Sequence, residues 1–419
     1  GLDGTLLSQE IVYDTANFDV LLVSTFNSID DTGLVDPDDI SSATDISTGL
    51  QNGTFSDDLE AVALNIALIS EAPVLERALT ETRPEASIAG LEVFRSSQNL
   101  FLDRLAAGTA AEPTKSAETA GLGDRLYAPV SAKSGEQHGK HVWGNVQYVR
   151  HNQDGTLSNP DYTADSFELA AGVSGIELGD LTFGFALGYA DIDTQEQVPA
   201  PDRSKIEVFR AAAIASAPMN KSDRGLNAHV DGMLSFAAGT NAIDMNVVIP
   251  TVGFATTQSG EADIHYIGAG VRLTFDGIGD EEWLVKPHLM VAWDNVYQSG
   301  MTVGDGTTAF ITEKGNFDRT TFGYGLTMNH QWTDQTRIHA GLSGYHFVGD
   351  TQIGFDSTFV KNSGATSFIT TGEDIRNQYV VESGIEHSFG QGWSFSADAF
   401  AEFGDLQAYG GLLKLTKQF

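Results

Sequence analysis

Residues 408–419 read AYGGLLKLTKQF, and the chain stops there, on Phe419. Tyr409, Gly411, Leu413 and Leu415 fall on every second position, and Phe419 continues their face. A two-residue period puts alternate side chains on opposite faces of a strand. An aromatic end with no polar tail is expected to close a structural element, here a final strand. Upstream, alternating segments of roughly ten residues recur between turn-rich stretches, which is the signature of a transmembrane β-barrel. The expected strands are 140–150, 164–177, 181–191, 204–217, 225–239, 260–275, 283–297, 317–332, 336–348, 376–389, 393–403 and 408–419. Twelve is an even number, as in single-chain bacterial barrels.

Two strands show the faces plainly. Leu226, Ala228, Val230, Leu234 and Phe236 alternate with Asn227, His229, Asp231 and Ser235. Trp393, Phe395, Ala397 and Ala399 alternate with Ser394, Ser396, Asp398 and Phe400. A soluble sandwich would alternate as well, so the connections discriminate. Those at 178–180, 218–224, 276–282, 333–335 and 390–392 are short, and those at 151–163, 192–203, 240–259, 298–316 and 349–375 are long. Short and long take turns along the chain, as an up-and-down barrel demands when all its long loops lie at one end. Aromatics near strand ends (Tyr148, Tyr189, Trp283, Trp332, Tyr345, Trp393, Tyr409) suit interfacial girdles.

Before residue 140 the period changes. Residues 1–26 hold two β-rich runs separated by Asp14–Asn17, and 27–55, rich in Asp, Ser, Thr and Gly, read as loop. Ser56 can cap a helix whose first turn carries Asp57, Asp58 and Glu60, and Leu59, Val62, Ala63, Ile66 and Ile69 follow at helical spacing. Pro73 and Pro84 open further helical stretches at 73–82 and 84–106, so 56–106 is an expected helical linker. Residues 107–139, rich in Ala, Gly, Ser and Thr, read as a flexible connector to a barrel over 140–419.

Composition narrows the function classes. No window of the 419 residues reaches the length of apolar run that a spanning helix needs. Mean hydropathy of −0.13 and 45 Gly fit alternating strands with many turns. The absence of Cys fits an oxidising compartment. A net charge of −34 argues against nucleic acid and against docking on anionic lipid. It suits a surface adapted to solubility or salt, or outer loops bridged to acidic lipopolysaccharide by divalent cations. Gly1 begins in mid-pattern without Met, as expected of a piece of a longer precursor.

Helical stretches SDDLEAVALNIAL, PVLERAL and PEASIAGLEVFRSSQNLFLDRL, followed by a barrel with a terminal Phe, resemble the translocator unit of classical autotransporters, the type V secretion proteins. LVKPHLMVAWDNVYQSGM looks like the family's central strand, and GTLLSQEIVYDTANFDVLLVS is similar to the last rungs and end of a passenger β-helix. The chain departs from many members at Lys417, where they carry an aromatic, and it lacks the Asn-Asn pair of the self-cleaving subgroup. The resemblance implies an all-β fold: a 12-stranded antiparallel transmembrane β-barrel, preceded by an α-helical linker and a short β-helix remnant. It implies export and surface anchoring of an N-terminal passenger, periplasmic chaperones, and the barrel-assembly machinery as partners. Leu413, Leu415 and Phe419 are the candidates for recognition by that machinery, or they simply face lipid.

Charged side chains on the strands are expected to face the lumen, because Arg or Lys against lipid costs roughly 2–4 kcal/mol at the midplane. That rule turns Arg210, Asp231, Arg272, Lys286, Glu382, Glu386, Asp398, Glu402 and Lys414 inward and makes the lumen-facing set polar. At 204–217 the charge decides the register, since Ile206 and Val208 share a face with Arg210. An empty lumen of this size would leak. The stretch 84–106 is expected to fill it, with Arg95, Asn99, Asp103 and Arg104 meeting opposite charges on the wall. Alternatively that helix packs on 56–82 outside and the connector threads the pore, because amphipathicity alone does not choose a partner surface. No metal or cofactor motif occurs among the ten dispersed His. His229 with Asp231, and His265 with Asp263, have dyad spacing, which in a polar lumen is more often coincidence than catalysis. The expectation is a monomeric, non-enzymatic outer-membrane translocator, with a passive porin or a barrel-embedded hydrolase as the alternatives.

Overall fold

A computed structural model describes residues 7–14, 19–26, 41–69, 74, 78, 83–109, 140–154, 161–197, 201–219, 228–249, 253–275, 278–279, 283–361 and 368–419. Strands β1 (Leu7–Asp14) and β2 (Asp19–Phe26) pair antiparallel as a hairpin. Helices α1 (Ser41–Asn52), α2 (Asp57–Ala67) and α3 (Glu85–Thr109) follow, and most of the expected helix 73–82 lies outside the described residues.

The remaining strands, in chain order, are β3 (His141–Gln153), β4 (Tyr162–Leu178), β5 (Leu181–Glu196), β6 (Arg203–Pro218), β7 (Ala228–Ile249), β8 (Phe254–Phe275), β9 (Ile278–Gly279), β10 (Trp283–Gln298), β11 (Met301–Val303), β12 (Phe310–Thr312), β13 (Gly315–Thr333), β14 (Thr336–Gly349), β15 (Gly354–Phe359), β16 (Phe368–Thr371), β17 (Asn377–Gly390), β18 (Trp393–Gly404) and β19 (Gln407–Gln418). Twelve of them form one antiparallel sheet that closes on itself. The seam joins the first and last barrel strands, with Val146 opposite Leu413. β10 and β13 complete the ring, with Val291 opposite Phe322. Phe419 lies one residue past β19, yet its N–H still donates to the Lys140 carbonyl and so extends the seam. Leu187, Phe209, Leu234 and Phe236 point outward and exposed, a surface suited to lipid and not to water.

Three expectations about connections change. Residues 41–52, expected as loop, form α1, because Ile46 and Leu50 stand one helical turn apart and are both buried. The expected long loop 240–259 is mostly strand: β7 and β8 continue past the barrel wall as a hairpin, paired out to Ile249 opposite Phe254. Its polar Asn241, Asp244 and Asn246 read as loop, but Ile243, Met245, Val247 and Ile249 keep the two-residue period and are buried. The long connections 298–316 and 349–375 carry β11, β12, β15 and β16, which pair into a small separate sheet. The sixth connection at this end is short, Asp405–Leu406. Tyr345 is no girdle residue, since it is buried on the inner face, whereas Trp283, Trp332, Trp393 and Tyr409 are exposed outward.

Candidate functional site

Helix α3 lies inside the barrel, and three consecutive residues establish it. Arg95 Nε donates to Asp294 Oδ1 of β10 at 2.6 Å. Ser96 Oγ accepts from Gln378 Nε2 of β17 at 3.0 Å. Ser97 Oγ accepts from Arg210 Nη2 of β6 at 2.6 Å. Successive residues of an α-helix point about 100° apart, so wall on three such sides means wall all round. Further contacts fill the circle. Asn241 of β7 donates to Ser87 Oγ at 2.9 Å, the Tyr162 hydroxyl of β4 reaches Glu92 at 3.5 Å, and the Phe94 ring meets Tyr266 of β8 edge-on at 6.1 Å. At Gly90 the helix passes so close to β6 that an added Cβ would sit 2.7 Å from Ser204 Oγ.

The direction of the helix follows from the same residues. Glu85 shares a small cavity with Gln153, Tyr162 and Glu196, which end or begin β3, β4 and β5 at the long-connection rim. Phe101 lies deeper, beside Gly188 and 5.8 Å from the Arg210 guanidinium. The first barrel strand, in contrast, starts at His141 on the opposite, short-turn rim. Glu85 and His141 therefore lie at opposite mouths of the barrel, and α3 enters the lumen from the long-connection mouth.

The wall has two halves. Near the long-connection rim, Ile192, Ile206, Val208 and Ile264 face inward and share one buried core with Ile88, Leu91 and Phe94 of α3. The lumen-facing set is thus not polar throughout: where the helix covers the wall, an apolar lining is part of a protein core. Toward the other mouth many inner side chains are ionisable and lie in pairs. Arg272 Nε lies 3.3 Å from Asp231, Arg337 pairs with Glu386, and His339 Nε2 lies 2.9 Å from Asp398. Lys414 and Lys286 are buried on the inner face, Lys414 with its ammonium 5.2 Å over the Trp143 ring. Nearer the long-connection rim Glu402 is buried and accepts from Gln378, and Glu382 is half-buried on the inner face of the wall. Of the expected helix residues, Arg95 meets an opposite charge, and the side chains of Asn99, Asp103 and Arg104 lie outside the described residues. Leu413, Leu415 and Phe419 are exposed on the outer face.

Residues 142–399, more than half of the chain, match the family model described as the autotransporter beta-domain. The chain belongs to the autotransporter β-domain family. Its fold is similar to the translocator domain of autotransporter NalP from Neisseria meningitidis, with a TM-score of 0.59 at 11% identity, covering 79% of this chain and 98% of that one. It is also similar to the transport unit of the autotransporter AIDA-I from Escherichia coli, with a TM-score of 0.51 at 13% identity, covering 80% and 99%. No curated protein matches the sequence. This autotransporter domain is an outer-membrane translocator that exports a passenger to the cell surface, and the porin and hydrolase alternatives are not favoured.

Several residues that hold the autotransporter's helix escaped the sequence reading. Asp294 is shared, with Oδ1 on Arg95 and Oδ2 3.2 Å from Arg319, whose guanidinium lies 4.1 Å over the Phe347 ring. Glu168 pairs with Arg210 at 3.0 Å from the neighbouring wall. Asp294 and Arg319 could have been found by the charge rule applied to Arg210, since each is an ionisable residue within an expected barrel strand (MVAWDNVY, FDRTTFGY). Asn241 could not, because its stretch reads as loop.

Proposed function

We propose that this translocator passes its N-terminal passenger outward through the lumen and then keeps α3 there as a plug, so that the exported part stays anchored. The apolar inner wall carries this reading. Ile192, Ile206 and Val208 would stand in water in an open pore, and they are instead covered by Ile88, Leu91 and Phe94. An exposed apolar wall of that kind is costly, which supports a lumen whose resting state is filled. The chain polarity supports the route: the described residues 46–69 pack at the mouth with long connections, the external side of outer-membrane barrels.

Segment 1–26 is read as the end of the passenger and 107–139 as the flexible connector to the barrel. The outward Leu413, Leu415 and Phe419 serve first as the recognition face for the barrel-assembly machinery, after delivery by periplasmic chaperones, and afterwards as lipid contacts. Lipopolysaccharide is the expected neighbour of the external half, and the barrel works as a monomer. The protein is read as non-enzymatic. His229 Nε2 lies 3.8 Å from Asp231, but Arg272 engages the same carboxylate oxygen at 3.3 Å, and the exposed His265 stacks on Tyr297, 6.0 Å away, on the outer wall; this supports the coincidence reading of both His/Asp pairs.

The test is electrical. A chain lacking residues 1–139, refolded into planar bilayers, should carry steady ionic current, and the full chain should stay closed. Equal tightness of both would sink the plug, and an N-terminal epitope that protease never reaches on intact cells would sink the export route.

A further inference from the structure

Beyond the barrel wall the structure holds a second hydrophobic core, separate from the one around α3. From the segment before α3 it takes Ile46, Leu50, Phe55, Leu59, Val62, Ile66 and Ile69. From the projecting β7–β8 hairpin it takes Ile243, Met245, Val247, Ile249 and Ala262, and from the small external sheet Met301, Val303, Phe310 and Phe359. Polar contacts fix the register between the two sides. The Phe55 ring stands edge-on to Phe359 at 6.4 Å, and the Ser56 N–H donates to the Lys361 carbonyl at 3.0 Å. Lys361 Nζ also lies 3.4 Å from Asp58.

We infer that the external end of the barrel is a binding site for the chain's own segment 46–69, a clasp that holds the exported part without help from the peptide running down the pore. The inference rests on the translocator reading for its meaning and on this second core for its mechanism. One side consists of the buried apolar faces of helices α1 and α2. The other consists of strand extensions whose apolar residues continue the inward face past the wall, where no lumen remains. Each side buries apolar surface against the other, and such burial is the dominant favourable term in association. Two consequences follow. Scission between Ala78 and Arg83 would leave the N-terminal fragment on the barrel, and the anchoring strength would depend on Phe359 and Val247 as much as on the covalent link.

The test uses the full chain folded in detergent, with a specific protease site inserted between Ala78 and Arg83. After scission, verified on a denaturing gel, the N-terminal fragment should co-elute with the barrel in gel filtration. In Ile66→Asp, on the fragment side, it should separate, with at least a tenfold loss of co-eluting fragment. In Phe359→Ala combined with Val247→Asp, on the barrel side, it should separate as well, while heat-modifiable gel migration confirms an intact barrel. Separation of the unmutated fragment on cutting would overturn the clasp, as would retention in both variants. The export reading is judged independently by surface exposure in cells.

Discussion

Arg95 and Asp294 lie 199 residues apart in the chain and touch at 2.6 Å, both buried, inside a barrel. One belongs to a helix that the wall surrounds and the other to the wall. The same carboxylate also holds Arg319, so one negative charge serves two guanidiniums. Two further bonds from Arg95, to the carbonyls of Asp350 at 2.7 Å and Phe317 at 3.2 Å, leave its side chain little freedom.

That sharing ranks two substitutions. Breaking one side of a buried pair costs about 3–5 kcal/mol. Arg95→Met leaves Asp294 with Arg319, so its cost should fall at the lower end. Asp294→Asn leaves two cations facing a neutral amide and should cost more. Single-channel recordings should show brief openings for Arg95→Met and longer, more frequent ones for Asp294→Asn. Identical closed traces for both would remove this pair from the plug's attachment.

The outward surface sets a second expectation. Leu187 is 69% exposed on the face that meets lipid. Leu187→Arg should lower the folding free energy into vesicles by about 2–4 kcal/mol if the site lies near the midplane. Leu187→Met should change it little. A loss below ~1 kcal/mol for the Arg variant would place the site in the interface.

Two glycines in one strand should behave oppositely. At Gly239 an added Cβ would stand 1.9 Å from the Glu207 carbonyl oxygen and 2.7 Å from Val208 Cα, both backbone atoms of the paired strand. At Gly232 the nearest atom would be 4.0 Å away. Gly239→Ala should lose about 1–3 kcal/mol through forced separation of β6 and β7. Gly232→Ala should stay within about 0.5 kcal/mol of the parent. Urea titration followed by gel mobility measures both.

Phe419 ends the chain exposed, with the Lys417 ammonium 5.7 Å over its ring. Phe419→Ala should cut the folded, membrane-inserted yield in cells while leaving the unfolding midpoint of purified barrel nearly unchanged. Wild-type yield in cells would rule out a role in recognition by the assembly machinery.

Twelve strands were legible because alternation is local: each residue's face depends only on its neighbours two positions away. The closed sheet has all twelve, with ends shifted by a few residues at the short-turn rim. At the other rim legibility failed for a physical reason. Asn241, Asp244 and Asn246 are polar enough to read as loop, and their strand is held by apolar partners that arrive from residues 46–69. Tyr345 near a strand end read as a girdle residue, but its face was set by register and not by position.

The amino-acid sequence by itself determined a barrel, its even strand number, and a linker of helical period before it, because strand and helix periods are properties of short segments. Only the tertiary structure decided where the helices go. The apolar stripe of α3 could cover any apolar surface, and burial has no direction of its own. The choice was made by non-local partners: Asp294, Gln378 and Arg210, brought to three sides of one helix by closure of the sheet, drew α3 inside and left α1 and α2 to the second core at the rim.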